Sequence, residues 1–85
     1  MENQKEHKEV IIIVNTREKP WDKEKISYEE VIVLAFGSYS KDENVVYTID
    51  YSKGPKGNIE GSLTKGESVK VKNGMIFNVT KTNKS

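Results

Sequence analysis

The sequence predicts an α+β fold in which one helix packs across one face of a mixed sheet of four to five strands. Three observations support this prediction. The run Val10–Val14 is apolar and almost wholly β-branched, which is typical of a central strand. Residues 26–37 carry the start and stop signals of a helix. Most of the second half of the chain alternates apolar and polar residues between turn residues, as half-buried strands do.

The composition indicates one small domain without thiol chemistry. The chain has 85 residues, of which 34% are hydrophobic and 32% charged, so the core is expected to be small. Because there is no cysteine, disulfides, thiolate metal sites and cysteine nucleophiles are excluded. Basic and acidic residues, 14 and 13 in number, alternate along the chain and leave a net charge of +1. We therefore expect neither nucleic acid nor a membrane as a partner.

Residues 1–9 are polar, and we expect them to form a flexible leader. His7, the single histidine, lies in this leader without recognisable ligand partners, so no metal site is predicted. The leader lacks the apolar segment of a signal peptide, and the run Val10–Val14 is too short to span a bilayer. These features favour a cytoplasmic location.

The first strand is expected at Val10–Val14, followed by a turn at residues 15–18. Residues 19–25 are highly charged and include Pro20, which cannot donate to a β-ladder, so they suit an edge strand or an irregular second arm of a hairpin. Trp21 is expected to lie over the edge of the sheet. The alternative is that its indole anchors a partner.

The helix that follows has clear ends. Ser27 stands at the N-cap, and Glu30 three residues later completes a capping box. Ile26 and Val31 flank this turn as a hydrophobic staple, and Gly37 suits the left-handed C-cap position. The residues expected to face the sheet are Val31, Leu34, Ala35 and Phe36.

Residues 45–51 alternate in polarity as a strand with one solvent-exposed face, and residues 52–58 follow as a turn-rich loop. In this loop Gly54 and Gly57 are spaced as in some phosphate-binding loops, and Lys53 and Lys56 accompany them. We do not favour that interpretation, because such a loop leads into a helix N-terminus and the residues after it are not helical in pattern.

The last third of the chain is predicted to contain a hairpin. A three-residue loop at residues 72–74 would pair Val69 with Phe77 and Val71 with Met75. A two-residue turn would instead place a lysine on the apolar side. A further alternative is an irregular crossing without a ladder. The final strand is expected at about residues 76–80, so that the domain spans residues 10–80 and a flexible tail spans residues 81–85.

The order of these elements is that of a β-grasp domain, in which the first and last strands lie parallel in the centre of the sheet. Beyond this order, several pieces of sequence carry a closer likeness. They are Val14-Asn15, Ser27-Tyr28-Glu29-Glu30-Val31, Leu34-Ala35-Phe36, Val46-Tyr47-Thr48-Ile49-Asp50-Tyr51, Gly61-Ser62-Leu63 and residues 66–80. Together, over roughly residues 10–85, they resemble the bacterial multiubiquitin family of ubiquitin-like domains, which occur with activating, conjugating and deconjugating enzymes.

The resemblance implies a protein modifier that is not itself an enzyme and needs no cofactor. Its C-terminus would be activated and transferred to protein targets by ubiquitin-activating-like and conjugating-like enzymes, with a deconjugating or processing protease as a further partner. The residues that the resemblance assigns to the conjugation and processing tail are Thr80, Lys81, Thr82, Asn83, Lys84 and Ser85.

The chain departs from this pattern at its end. Ubiquitin-like modifiers usually end in two glycines, which pass a narrow channel without a Cβ clash, whereas this sequence ends in Asn83-Lys84-Ser85. Three alternatives remain open: a protease trims the tail, partner enzymes accept a non-glycine terminus, or the domain has lost conjugation and acts as a non-covalent binding or scaffold module.

A candidate partner site lies on the open side of the sheet. If the even-numbered residues of Val10–Val14 face the helix, Ile11 and Ile13 lie on the open side together with Ile76. Such an apolar strip bordered by polar groups is a candidate protein-binding surface. Two alternatives need no partner. The isoleucines could be present only because β-branched residues favour a central strand, or the leader could cover them.

Overall fold

The computed structural model describes residues 9–83 of the chain. Its elements, in chain order, are β1 (Val10–Val14), β2 (Arg17–Trp21), β3 (Lys25–Ser27), α1 (Tyr28–Phe36), β4 (Val45–Ser52), β5 (Gly61–Leu63), β6 (Ser68–Lys70) and β7 (Ile76–Asn83). Five strands form one sheet in the order β2-β1-β7-β4-β5, and β3 and β6 form a small second sheet. Within residues 9–83, no helix has the length and apolar composition needed to cross a membrane.

The first and last strands lie side by side in the centre of the main sheet, as predicted. They run parallel, with Ile13 opposite Ile76 and Val14 opposite Phe77. The other strand pairs of this sheet, β1 with β2, β4 with β7 and β4 with β5, are antiparallel. Helix α1 packs across one face, against β1 and β7. The predicted α+β, ubiquitin-like β-grasp fold is therefore confirmed.

The core lies between α1 and the covered face of the sheet. Ile12 and Val14 from β1 are fully buried, as are Val31 and Ile32 from α1 and Phe77 from β7. Alternate residues of β4 face the same side. The remaining buried apolar residues are Ile26, Tyr28, Tyr47, Ile49, Tyr51, Leu63, Val69, Met75 and Val79.

Helix α1 begins and ends at the predicted signals. The Glu30 N–H donates to the Ser27 side-chain oxygen at 3.2 Å, and the Ser27 N–H donates to the Glu30 carboxylate at 2.9 Å, which completes the capping box. Gly37 follows the last turn with a φ of +88°, and its N–H donates to the Val33 carbonyl at 2.7 Å.

The buried face of α1 differs in part from the predicted one. Tyr28, Val31 and Ile32 are buried, whereas Phe36 is 41% exposed and the other two predicted positions are half-buried. Residues 28, 31, 32 and 35 share the i, i+3, i+4, i+7 spacing of one face, and position 36 lies a further step round the helix. The Phe36 ring packs instead against Tyr47, with 6.0 Å between the ring centroids.

The turn after β1 is shorter than predicted. Asn15 and Thr16 form the whole loop, with φ values of +51° and +71°, and Val14 pairs directly with Arg17. Two consecutive positive φ values are the mark of a type I′ hairpin turn, whose twist suits the flanking strands. The second arm is consequently a regular edge strand of five residues that includes Pro20.

The predicted hairpin between residues 69–71 and 75–77 is wrong. Strand β6 pairs with β3 and places Val69 opposite Ile26, away from β7. The physical reason is competition from β1. The Ile13 N–H donates to the Met75 carbonyl at 2.8 Å, and the Gly74 N–H donates to the Ile11 carbonyl at 2.7 Å. The edge of β7 that a hairpin partner needs is therefore already used by β1.

The last strand is longer than predicted. Residues 81–83, placed in the flexible tail from the sequence, continue β7 and pair with the start of β4, so that Asn83 lies opposite Val45 and Thr82 opposite Val46. The sequence signal fails here because residues 80–83 are polar and none of their side chains is buried. Residues 1–8 of the predicted leader, with His7, and the last two tail residues, Lys84 and Ser85, lie outside the described residues.

Candidate functional site

The described part of the predicted conjugation tail, residues 80–83, forms the end of a two-stranded ribbon that extends beyond the rest of the sheet. All eight residues of β7 pair with β4, but only Ile76 and Phe77 pair with β1. On the outer side of β4, strand β5 pairs only with residues 49–51. The ribbon is therefore formed by residues 45–48 of β4 and residues 80–83 of β7.

The side chain of Asn15 replaces β1 where that strand turns away from β7. The Asn15 N–H donates to the Phe77 carbonyl at 3.0 Å as the last backbone bond of the parallel ladder. The side-chain amide then accepts from the Val79 N–H at 2.8 Å and donates to the Val79 carbonyl at 3.1 Å. After Val79 the ladder on this side of β7 ends.

The backbone groups of β7 alternate between its two neighbours. Bonds to β1 and Asn15 involve Met75, Phe77 and Val79, so the odd-numbered residues point toward β1 and the even-numbered ones toward β4. By the same alternation, Lys81 and Asn83 point their N–H and C=O groups to the side where β1 is no longer present. Among residues 9–83, no hydrogen-bond partner lies there. This edge can accept an additional strand.

The opposite edge of the ribbon, on β4, is covered in part. The Val45 N–H donates to the Asp42 carbonyl at 3.0 Å, and the Tyr47 carbonyl lies 3.5 Å from the Tyr28 hydroxyl, which donates to it. Both groups are those that β4 would otherwise offer to an incoming strand. Among the described residues, the outer edge of β4 therefore keeps fewer free backbone groups than the edge of β7.

An aromatic cluster supports the covered edge. The Tyr39 ring lies between Tyr28 and Tyr47, with centroid distances of 6.0 Å and 5.5 Å, and the Ser40 N–H donates to the Tyr47 hydroxyl at 3.0 Å. Burial, followed by the neighbouring Tyr39 and Tyr47, raises the pKa of the Tyr28 hydroxyl. A pocket of about 280 Å³ beside these rings also touches Lys65. The cluster holds the loop between α1 and β4 in place.

The tail residues within the ribbon are exposed and sterically unencumbered. The side chains of Thr80 and Thr82 share the open face of the sheet with Thr48, which lies opposite Thr80. Lys81 and Asn83 are exposed as well.

The predicted apolar strip is only partly continuous. Ile13 lies directly opposite Ile76 in the parallel pair, and both are half-buried. Ile11 is two residues further back on β1 and is 38% exposed. Its backbone bonds to Gly74, and it pairs with Pro20 on β2, so its neighbours across the sheet are a turn and an edge strand. The structure thus brings Ile13 and Ile76 together and places Ile11 at the end of the strip.

A basic groove lies at the end of the sheet where β4 ends and β7 begins. It has a volume of about 640 Å³, and its lining residues are Lys53, Gly54, Lys56, Ile59, Lys72, Asn73 and Gly74. The sequence indicated Lys53 and Lys56 but missed Lys72. Lys72 joins them because Ser52 pairs with Ile76, which brings together the loop after β4 and the turn before β7, and no sequence pattern indicates this pairing. No helix follows Gly57, in agreement with the sequence, and β5 follows instead.

Trp21 lies at the edge of the sheet, as expected. Its indole N–H donates to the Lys25 carbonyl at 3.0 Å, and the Lys23 ammonium lies 5.3 Å from the ring centroid. The ring lines a shallow groove together with Val33 and Leu34 of α1.

Two carboxylates of the described residues, Asp50 and Glu67, form local hydrogen bonds. Asp50 accepts from the Ser62 hydroxyl at 3.0 Å, and Glu67 accepts from the Thr64 N–H at 2.9 Å. This bond from Thr64 lowers the pKa of Glu67. In the part of the chain that the structure describes, no group of three or more histidine, aspartate or glutamate residues could hold a metal ion.

Comparison with known proteins agrees with this geometry. The chain matches no curated protein and no solved structure. The family model for multiubiquitin matches residues 10–83, from the first residue of β1 to the last of β7. This match covers the complete main sheet, the helix and the ribbon, so the chain belongs to the multiubiquitin family of ubiquitin-like domains.

Proposed function

We propose that this domain is a bacterial, cytoplasmic ubiquitin-like protein modifier, whose C-terminal carboxyl group is activated and transferred to target proteins by partner enzymes. The observation that supports the proposal most strongly is the open edge of β7 at Lys81 and Asn83. The family match supports the fold that presents this edge.

The ribbon suits a substrate that is held by its tail. An enzyme can add an extended strand to the open edge and bind it through main-chain hydrogen bonds, which need no particular side chain in the tail. Such binding would fix the direction and the register in which the tail enters the enzyme.

In this proposal the domain supplies only a C-terminal carboxyl group and a stably folded domain that the enzymes can bind. A carboxylate does not acylate an amine until one of its oxygens becomes part of a leaving group, and ATP bound to an activating enzyme can provide this conversion. A conjugating enzyme then carries the acyl group to the target, and a protease removes or trims it. The chemistry is therefore that of the partner enzymes.

The test is adduct formation. The purified domain is incubated with ATP and with its cognate activating and conjugating enzymes, and adducts are detected by denaturing electrophoresis and mass spectrometry. We expect enzymes or targets to gain the mass of the domain only when ATP is present. A chain that ends at Thr80 is expected to form no adduct. If the longer chain also forms none, with or without trimming of its tail, the modifier function is refuted.

A second candidate function is that of a non-covalent binding module. The position of Ile13 opposite Ile76 on the open face supports it, because apolar residues on that face do not pack against the helix. Ile13→Ser is the discriminating variant. A binding module is expected to lose its partner with this change, whereas a modifier held by its tail is expected to form adducts at the normal rate.

A further inference from the structure

We propose that the basic groove between residues 53–59 and residues 72–74 binds an acidic peptide segment of a partner protein, with one apolar side chain of that segment on Ile59. This site is separate from the tail and does not depend on conjugation. It adds a second point of recognition at the opposite end of β7.

The two walls of the groove are held by their own hydrogen bonds. In the first wall the Gly54 N–H donates to the Ile59 carbonyl at 2.9 Å, and the Asn58 N–H donates to the Pro55 carbonyl at 2.8 Å. Gly54 itself is buried, and a Cβ there would collide with the Asn58 carbonyl oxygen. The loop is therefore closed on itself and does not need a ligand to form it.

The second wall is attached to β1. The Asn73 side chain accepts from the Ile11 N–H at 2.8 Å, the Gly74 N–H donates to the Ile11 carbonyl at 2.7 Å, and the Met75 N–H donates to the Lys72 carbonyl at 2.9 Å. These bonds fix the turn that carries Lys72. Because both walls are fixed, the groove is preformed, and binding does not have to order it.

The charged side chains that line the groove are all positive. Lys53, Lys56 and Lys72 line it, and among the described residues no carboxylate does. Two lysines outside the groove have acidic partners: Lys23 pairs with Glu30 at 2.7 Å, and Lys70 lies 3.9 Å from Glu24. Three ammonium groups around one concave surface repel one another, and carboxylates of a ligand relieve this repulsion.

The apolar part of the site favours a peptide over a nucleic acid. Ile59 is 59% exposed and lies within the groove, although a fully solvated loop gains nothing from an isoleucine there. Ile11, whose backbone is bonded to the turn that carries Lys72, is a further exposed apolar residue at this end of the sheet. A phosphate-tracking surface would need more basic groups along one face, and the net charge of the chain is only +1.

The experiment uses the whole chain and defined probes. The first probe is a short fluorescein-labelled peptide with several carboxylates around one isoleucine. The second has amides in place of the carboxylates, and the third is a single-stranded DNA oligomer of equal charge. We expect saturable binding of the acidic peptide alone, weakening with salt. In NMR spectra the peptide is expected to shift the amide signals of Lys53, Ile59 and Asn73 most.

Matched charge reversals then locate the site. The pair Lys56→Glu and Lys72→Glu is expected to weaken binding of the acidic peptide by about tenfold or more. The control pair Lys41→Glu and Lys65→Glu changes the net charge equally, but these lysines line the tyrosine pocket, so an effect under about threefold is expected.

Three outcomes would overturn the proposal. The first is the lack of saturable binding by the acidic peptide. The second is an equal loss in both double variants, which would mean that only the overall charge matters. The third is tighter binding of the DNA oligomer with the same amide shifts, which would make the groove a nucleic-acid site.

Discussion

The Asn15 side chain forms two hydrogen bonds with the backbone of Val79, at 2.8 Å and 3.1 Å, across 64 positions of sequence. A side-chain amide has the same donor and acceptor as a peptide group, so it continues the parallel ladder for one more residue after β1 has turned. The position is also the one at which β7 changes from a central strand to a free edge. This contact thus sets where the ribbon begins.

Replacing Asn15 is expected to loosen this junction. Asn15→Gly keeps the freedom for a positive φ but leaves the Val79 N–H and carbonyl without their partner, and we expect a loss of about 1–3 kcal/mol in the free energy of unfolding. Urea unfolding measures the loss. Thr16→Gly is the matched control in the same turn, with an expected change below about 1 kcal/mol. Equal effects of the two changes would contradict the role assigned to the Asn15 amide.

The capping box makes a separate prediction. Ser27→Ala removes the oxygen that accepts the Glu30 N–H, and it is expected to lower stability by about 0.5–2 kcal/mol in urea unfolding. Ser38→Ala, at an exposed serine just after the helix, is expected to stay within about 0.5 kcal/mol of the unchanged protein. A Ser27 variant as stable as the Ser38 variant would mean that the cap contributes little.

The stability of the fold is expected to decline in acid through Glu30. Burial acts to raise the pKa of this carboxyl, but hydrogen bonds from Lys23 and Ser27 outweigh it and hold the pKa below its usual value of 4.5. The folded state therefore binds this proton less readily than the unfolded state. Its contribution is present above about pH 4.5 and is lost as the pH falls through the lower, folded pKa.

Denaturant midpoints between neutral pH and about pH 3 test this prediction. Glu30→Gln is expected to flatten the pH dependence in part, since the lowered pKa of Glu67 acts in the same direction. Glu29→Gln, which removes a charge from the same helical turn, is the matched control variant. An unaltered slope in the Glu30 variant would show that its hydrogen bonds are not maintained in solution.

Truncation after Thr80 is expected to weaken the start of β4 without unfolding the domain. It removes the partners of residues 45–47, including Thr82 opposite Val46, but leaves every buried residue of the core in place. The expected cost is about 1–3 kcal/mol. Amide hydrogen exchange should accelerate at Val46 and remain unchanged at Asp50. Unchanged exchange at Val46 would contradict the pairing of residues 81–83.

The parts of the fold that could be predicted are those determined by local chemistry. The capping box of Ser27 and Glu30, the glycine at the helix end and the apolar run Val10–Val14 each specify their structure within a few residues. The central parallel pair followed from the order of the elements. These are features in which neighbouring residues agree on one conformation.

The parts that could not be predicted depend on competition between distant segments. Val69 and Met75 have the pattern of a hairpin, but β1 takes the available edge of β7, and β6 joins β3 instead. Pattern alone does not decide which of several partners obtains an edge. In the same way, Lys72 joins Lys53 only through the ladder that ends at Ser52 and Ile76, and residues 81–83 are a strand only because β4 extends beside them.

The most direct test of the modifier proposal measures adduct formation by two variants of Lys81. Lys81→Pro removes an N–H that points to the open edge of β7 and takes no part in the ladder with β4, so the fold is expected to tolerate it. Lys81→Ala removes the side chain and keeps this N–H. With ATP and the partner enzymes, the alanine variant is expected to form adducts within about twofold of the unchanged rate, and the proline variant at least about tenfold more slowly. Equal rates for the two variants, with both folded, would contradict recognition of the tail through its open strand edge.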